Sequence, residues 1–382
     1  MKKRKDGRYM LRVYLGLDEN KRKKFKTVYG KSKAEVKQKE SEIRLKFNKG
    51  VDVTADQDTY GSWVKRWLAV KKDLLTESQY NTYKSYLKHF AILEDYKLCK
   101  LSVADFQEII NELYRYNPNT GKPTAKKSLR EFRAVANQVF EFAVENRVVD
   151  FNPVKYVKIP QNAPQKARRA LTKEEQSWII NTPHRAQLPA MIMLLSGLRL
   201  GECLALQWKD IDLVNATIDV HQTLKMQDGK SEVKQGAKTM ASVRTVDIPQ
   251  TLVNFLKSQQ NHSPFDFVVT TVHGELMTKT AWNRLWSSYL KDLNLKYGKF
   301  AVRPKSKFTP KGVPMVIEPF TAHYLRHTHA TNLFYAGYDL LYVQHQLGHT
   351  RPETTMNIYT HLVKEKKKGA TSKLDAYLEK IG

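Results

Sequence analysis

Residues 347–361 read LGHTRPETTMNIYTH, and the order of signals in this stretch decides how the C-terminal half folds. Gly348 reads as a helix stop, because a glycine just past a helix adopts the left-handed conformation without a Cβ penalty. Thr350 and Glu353 then form a capping box with Pro352 in the first turn, so a new short helix starts at once. Tyr359 falls toward the end of that helix. The chain has 19 tyrosines, and a half-buried tyrosine is ordinarily a packing residue with a polar tip, so Tyr359 by itself says little.

Upstream lies TAHYLRHTH, residues 321–329. Thr321 can cap a helix whose first turn carries His323 and Arg326 at i and i+3, on one face. An imidazole and a guanidinium at a helix N-terminus suit an anion, which the exposed backbone N–H groups also attract. The same residues admit two other readings. His323 and His327 stand at i and i+4, a spacing that can bind zinc; the glutamate of a zincin motif is missing and no third ligand is evident, so no metal is expected. Alternatively, both histidines are satisfied structural residues.

Further back, SGLRLGE spans residues 196–202. Ser196-Gly197 interrupts an apolar run and a helix restarts near Arg199, which again places a cation where a phosphate would sit. Glu202, three residues on, can hold the arginine from the same face. On local sequence context alone, an ordinary surface salt bridge is the favoured reading of the pair. Between these boxes, GAKTMASVRTVDIP (236–249) places Lys238 at a turn before a strand.

Composition points the same way. The 65 Lys+Arg against 38 Asp+Glu give a formal net charge of +27, which favours a polyanion, most simply nucleic acid, over a merely solvated basic surface. A hydrophobic share of 41% is that of a globular chain. Two cysteines, Cys99 and Cys203, exclude a disulfide framework and a cysteine-rich zinc module, and suit a reducing interior. No stretch is apolar enough to span a bilayer, and no apolar run follows the basic start MKKRKDGRYM, so neither a membrane anchor nor a signal peptide is expected. The expected location is cytoplasmic, on DNA in the cell interior.

The chain reads as three domains. In residues 1–48, Arg8 to Gly16 and Lys23 to Gly30 read as strands and Ser32 to Phe47 as a helix, a small basic α+β unit. Such a sheet can lie in a major groove, although an ordinary basic hairpin fits as well. A polar joint, NKGVDVTADQD (48–58), follows. Residues 59–158 read as all-α. Thr76 and Gln79 make a capping box, and Leu129, Phe132, Val135, Val139 and Phe142 recur at helical spacing. Lys126, Lys127, Arg130 and Arg133 give that helix a basic side, and Trp63 and Trp67 read as core. Asn152-Pro153 ends the segment. The linker PQNAPQKARR (160–169) leads to residues 170–382, a mixed α/β, mainly α domain. There Thr172 and Glu175 cap a helix, and residues 216–222 and 243–249 alternate as short strands, with a turn at Gln227-Asp228-Gly229. The basic stretch 298–312 reads as a loop.

In order, these boxes supply Arg199, Lys238, His323, Arg326, His349 and Tyr359. That order and spacing resembles the tyrosine recombinase family, the integrases of phages and conjugative transposons, over nearly all of residues 59–365. The boxes that carry the resemblance are ENRVVDFNP (145–153), GLRLGE, the H-x-x-R of 323–326 and the LGHT…YTH tail. The resemblance implies an all-α core-binding domain and a catalytic domain, and residues 1–48 look like the arm-site-binding domain of many such integrases. It implies attack of the Tyr359 hydroxyl on a phosphodiester to give a 3′-phosphotyrosyl enzyme, with no cofactor. Arg199 and Arg326 match the clamp on the phosphate, His349 a further donor, His323 the residue that exchanges a proton with the tyrosine, and Lys238 the general acid. Lys225, Lys230 and Lys234 lie close to Lys238 in sequence; the AKT…R pattern before a strand favours Lys238. Double-stranded DNA is the implied partner, with a homotetramer on two DNA sites. An excision factor and a DNA-bending host protein are usual accessories in the family, and the residues leave both open. Residues 371–382 suggest a helix that docks on a neighbouring protomer. Other tasks for the same residues are resolution, topoisomerase-like relaxation, a DNA-binding regulator that never cuts, and a zinc hydrolase built on His323 and His327.

Overall fold

Alternation along YMLRVYLGL builds the first sheet, because successive side chains point to opposite faces. Strands β1 (Lys2–Lys3), β2 (Tyr9–Leu17) and β3 (Lys23–Gly30) pair antiparallel in the order β1-β2-β3. Helix α1 (Lys33–Asn48) packs on one face, where Val13, Leu15, Val28 and Val36 are buried. The opposite face presents Arg12 and the cross-strand pair Tyr14–Phe25, with the Arg12 guanidinium 4.4 Å from the Phe25 ring. Four buried apolar residues make a small core, so α1 covers the sheet with little burial to spare.

The structure is a computed structural model that describes residues 1–17, 22–48, 50, 58–165, 169–227, 229–236, 243–260, 265–302, 304, 306, 313–349, 356 and 379. The chain divides into two compact units, Met1–Lys166 and Ala167–Gly382. Within the first, the helical part contains α2 (Tyr60–Lys72), α3 (Glu77–Leu87), α4 (Val103–Arg115) and α5 (Lys126–Glu145). Thr76 and Gln79 form the expected capping box at α3. Trp63, Trp67, Phe90, Phe106 and Phe140 are buried with the apolar face of α5, in a cluster separate from that of the N-terminal sheet. Arg133, on the basic side of α5, donates to the Val157 carbonyl at 2.7 Å and so fastens the chain after Pro153.

The second unit begins with α6 (Lys173–Ile180), capped reciprocally by Thr172 and Glu175. Arg169 grips the same glutamate, with Nη1 and Nη2 each 2.6 Å from a carboxylate oxygen. Helices α7 (Gln187–Ser196) and α8 (Leu200–Ala205) follow. Strands β4 (Ile211–Asp212), β5 (Thr217–Val220), β6 (Gln222–Gln227), β7 (Lys230–Gln235) and β8 (Arg244–Asp247) form two small sheets, β4-β5-β8 and the hairpin β6-β7, whose turn carries Gly229. Helices α9 (Gln250–Gln260), α10 (Lys279–Tyr297), α11 (Ala322–Ala336) and α12 (Leu340–Leu347) complete the described elements. The core is made by α7, α8, α9, α10, α11 and the inner faces of the sheets: Ile192, Leu194, Leu204, Val246, Leu252, Tyr289 and Leu325 are all buried.

Two close approaches bring the elements that carry the sequence boxes together. Helix α8 lies on β6 at Gly201, where a Cβ would stand 2.5 Å from the Thr223 hydroxyl. Helix α7 lies on α11 at Gly197, where a Cβ would stand 2.6 Å from the His329 ring. Gly197 also ends α7 in the left-handed conformation, with φ 72, so the turn leading to Arg199 needs glycine twice over.

Candidate active site

The site forms around the C-terminal end of α12. A helix leaves its last carbonyls without intrahelical donors, and its dipole makes that end negative. Here three successive carbonyls each accept from a different arginine. Arg244 Nε donates to the Gln346 carbonyl at 3.0 Å. Arg326 Nη2 donates to the Leu347 carbonyl, and Arg199 Nη2 to the Gly348 carbonyl at 2.7 Å. Gly348 ends the helix with φ 60, as its sequence signal predicts. A Cβ there would lie 2.9 Å from the Arg244 guanidinium, so the helix end and the arginine fit only without a side chain.

Arg199 occupies the N-cap of α8. Glu202 folds back over it and accepts the Arg199 backbone N–H at 2.9 Å and its guanidinium at 2.7 Å. This is the i, i+3 pairing expected from SGLRLGE, and the Arg199 side chain stays 41% exposed. Glu202 is buried, and its second cation is Arg244, whose Nη2 lies 2.9 Å from Oε2. Burial alone would raise the Glu202 carboxyl. The hydrogen bond and charge of Arg244, with the charge and backbone N–H of Arg199, outweigh it and hold the group at about 2.

Arg326 projects from the first half of α11 and is only 4% exposed. Its Nη1 donates to the Gly197 carbonyl at 2.8 Å, so it joins the turn before Arg199 to the end of α12. Burial, then the charges of Arg199 and Arg244, push it down to about 9, with Glu202 opposing. The guanidinium is still protonated at neutral pH. Thr321 stands at the N-cap of α11 in extended backbone, although its side chain makes no capping bond.

His349 follows the helix stop and is half-buried. Its backbone N–H donates to Gln344, and the Gln344 amide donates back to its carbonyl, at 3.2 and 3.0 Å. Burial, then the positive charges of Arg326, Arg199 and Arg244 and the His323 ring, push its imidazole down to about 3. His323 is exposed on the first turn of α11. Four of the six residues singled out in the sequence therefore surround one helix end. The other two, Lys238 and Tyr359, lie outside the described residues, as do the capping box at Thr350–Glu353 and the tail 371–382. The strand expected after Lys238 is β8. His327 is half-buried and on the same helix as His323, and among the described residues no cluster of three or more His, Cys, Asp or Glu side chains could hold a metal ion.

Sequence reading missed Arg244 and Gln346. Arg244 is almost wholly buried at the first position of R-T-V-D, on the same inward face as Val246. A cation at an inward position of an alternating strand is the signal that marks it. Gln346, also buried, pairs its side-chain amide with the backbone of Asp247, accepting at 3.1 Å and donating at 2.6 Å. It lies in a helix-stop sequence with nothing to distinguish it from a surface residue.

Two guanidiniums and a neutral imidazole gathered at one point are chemically able to hold a phosphate whose charge grows during a reaction. On a mixed domain that follows an all-helical one, this is the arrangement of the tyrosine recombinases, enzymes that cleave and rejoin DNA through a tyrosine intermediate. The profile of the Phage integrase family matches residues 167–366, and that of the Phage integrase N-terminal SAM-like domain matches residues 59–114. The chain belongs to the phage integrase family. A tyrosine recombinase XerC-like protein of Caldanaerobacter subterraneus subsp. tengcongensis is 28% identical over 96% of this chain and 95% of the relative. The ICEBs1 integrase of Bacillus subtilis is 25% identical over 99% of this chain and 100% of its own. The fold is shared with the integrase of transposon Tn1549, solved with a circular intermediate DNA (TM-score 0.64, 17% identity, 78% of this chain and 94% of that one). It is shared as well with lambda integrase, solved as a tetramer on a Holliday junction (TM-score 0.55, 16% identity, 91% and 95%).

Proposed function

We propose that this chain is the integrase of a mobile element, and that the end of α12 is where it holds the phosphate it cuts. The convergence of Arg199 and Arg326 on adjacent carbonyls of one helix carries this reading. Both guanidiniums already face a row of oxygen atoms, and a non-bridging phosphate oxygen is a stronger acceptor than either carbonyl.

In the proposed reaction the Tyr359 oxygen attacks phosphorus. The new bond is a 3′-phosphotyrosyl ester, and the bond that breaks is that between phosphorus and the 5′-oxygen. His323 accepts the phenol proton, and Lys238 gives one to the departing 5′-oxygen. Arg199, Arg326 and His349 bind the non-bridging oxygens as their charge grows. A neutral imidazole at 349 still donates one hydrogen bond, and an incoming phosphate raises its affinity for a second proton. The ester bond keeps its energy, so rejoining to another 5′-hydroxyl needs no nucleotide.

The partner is double-stranded DNA, held at many phosphates by the basic chain. We further propose that residues 1–48, 59–158 and 170–382 act as arm-binding, core-binding and catalytic domains. Arg12, Tyr14 and Phe25 on the uncovered face of the N-terminal sheet suit the first role. Four protomers on two sites, as in the lambda integrase complex, would exchange the strands. On this reading the reaction takes place on DNA in the cytoplasm; separately, no helix among the described residues is long and apolar enough to cross a membrane.

Covalent trapping tests the reading. Purified protein is incubated with fragmented DNA from its own genomic region and denatured with detergent, and the attached DNA is sequenced. DNA held by wild type and absent from Tyr359→Phe, with a peptide map ending on Tyr359, is the expected result. Tight, salt-sensitive binding with no adduct under any condition, including added cell extract as a source of accessory proteins, points to a regulator that does not cut.

A further inference from the structure

We propose that Arg244 is a positioning residue for strand cleavage, acting on Arg199 through Glu202 and on the helix end through Gln346. The proposal rests on the reading that Arg199 and Arg326 hold the scissile phosphate. Arg244 is held inside the domain, its side chain only 1% exposed. It therefore does not reach for a ligand; its known hydrogen bonds end on protein groups. Nη2 and Nη1 lie 2.9 and 3.3 Å from the two oxygens of Glu202, and Nε lies 3.0 Å from the Gln346 carbonyl.

The charge balance explains why this matters. Glu202 is a buried carboxylate between two guanidiniums. With Arg244 in place, half of its hydrogen-bonding capacity is taken, and Arg199 keeps an exposed guanidinium with donors directed outward. Without Arg244, the whole negative charge falls on Arg199, which is drawn down onto the carboxylate and away from an incoming phosphate. The same loss frees the Gln346 carbonyl. Among the described hydrogen bonds, strand β8 then keeps the Gln346–Asp247 amide pair and the 2.8 Å bond from Tyr342 to Asp247 to α12. The carbonyls of Leu347 and Gly348, and His349 after them, would lose one of the ties that fix them relative to α8, leaving the bond from Arg199 to the Gly348 carbonyl to carry the rest. A displacement of about 1 Å at such a site costs on the order of 100-fold in rate.

The test compares full-length wild type with Arg244→Lys, Arg244→Gln, Glu202→Gln and the double variant Arg244→Gln/Glu202→Gln. The probe is the same fragmented genomic DNA, used in excess of Kd, and adduct formation is followed in a single turnover. A folding defect lowers the amplitude, because fewer molecules are active. A positioning defect lowers the rate constant at full amplitude. Arg244→Lys keeps the charge and loses the planar fork. It is expected to retain full amplitude and DNA affinity within about threefold, with a rate about 10-fold lower, and Arg244→Gln a rate about 100-fold lower. The double variant is expected to be no slower than Arg244→Gln, because the two act as one unit. A wild-type rate in Arg244→Lys, or losses confined to amplitude in every variant, would overturn the proposal. Absence of an adduct from wild type itself overturns the cutting reading, and this inference with it.

Discussion

Arg199 and Arg326 end on neighbouring carbonyls of one helix, Gly348 and Leu347. The two arginines come from different helices and differ in exposure, one 41% open at its side chain and the other buried. On the proposed reading, the open guanidinium would follow the phosphate, and the buried one would set where it goes. Replacing either by alanine is expected to slow adduct formation by roughly 100- to 1,000-fold, the usual cost of removing one donor to a developing oxyanion. DNA affinity, spread over many phosphates, should change by less than about 10-fold. Single-turnover trapping beside a binding titration checks both, and equal losses in affinity and rate would remove the clamp role.

Tyr359→Phe is expected to leave DNA binding within about twofold and to reduce covalent adduct below detection, because the phenol oxygen is the only atom removed. The corresponding change Lys238→Ala should slow cleavage strongly on ordinary DNA. A substrate whose 5′-bridging oxygen is replaced by sulfur should restore it, since a thiolate leaves without a proton. Failure of the sulfur substrate to rescue Lys238→Ala would assign the general acid elsewhere.

Gly348→Ala should destabilise the second unit. The left-handed conformation costs a non-glycine residue about 1–2 kcal/mol, and the new Cβ meets the Arg244 guanidinium at 2.9 Å. A thermal melt should show a lower midpoint. Gly337, also left-handed at the end of α11, has nothing within 4 Å of a Cβ. Gly337→Ala therefore carries the backbone cost alone and is the control; equal losses at both positions would mean that the Arg244 contact contributes nothing.

Acid should weaken the same unit in two windows. His329 is buried behind Gly197, with Nδ1 3.2 Å from the Leu194 carbonyl. Burial, partly opposed by that carbonyl and aided by the Arg326 charge, pushes it down to about 4 from an ordinary 6.5. The fold thus prefers the neutral ring. Its contribution is complete above pH 6.5 and is lost as pH falls toward 4, a loss of about 3 kcal/mol. His349 adds to the same slope, and Glu202 begins to act only below its unfolded value of 4.5, as pH falls toward 2. Urea unfolding between pH 7 and 4 should show stability falling with pH, and His329→Phe should make that fall shallower. An unchanged slope would mean that His329 does not titrate with folding.

Local signals in the sequence were strong where a residue's role depends on its immediate neighbours. The helix stops at Gly197 and Gly348, the capping boxes at Thr76 and Thr172, and the strands at Tyr9–Leu17 and Lys23–Gly30 are all set within a few residues. The hold of Glu202 on Arg199 was legible for the same reason. The partners of Arg244 and Gln346 were not legible, because they are distant in sequence: Arg244 reaches Glu202 across 42 positions and Gln346 across 102. Val246, two positions on from Arg244, shows which face of β8 is inward, but not what a cation there would meet. The expected grouping of Arg199, His323, Arg326 and His349 came from the order of the family's boxes rather than from local physics.

The carbonyls at the end of α12 accept from Arg244, Arg326 and Arg199, so protein oxygens themselves hold those cations apart. Its backbone serves as an internal surrogate for the ligand. If the scissile phosphate binds there as proposed, DNA would compete with oxygen atoms already in place, and a weak acceptor such as water or a neutral ester would have little advantage over them. On the proposed reading, selectivity for a charged phosphodiester would be set before any base is read, by a helix end with which every ligand has to compete.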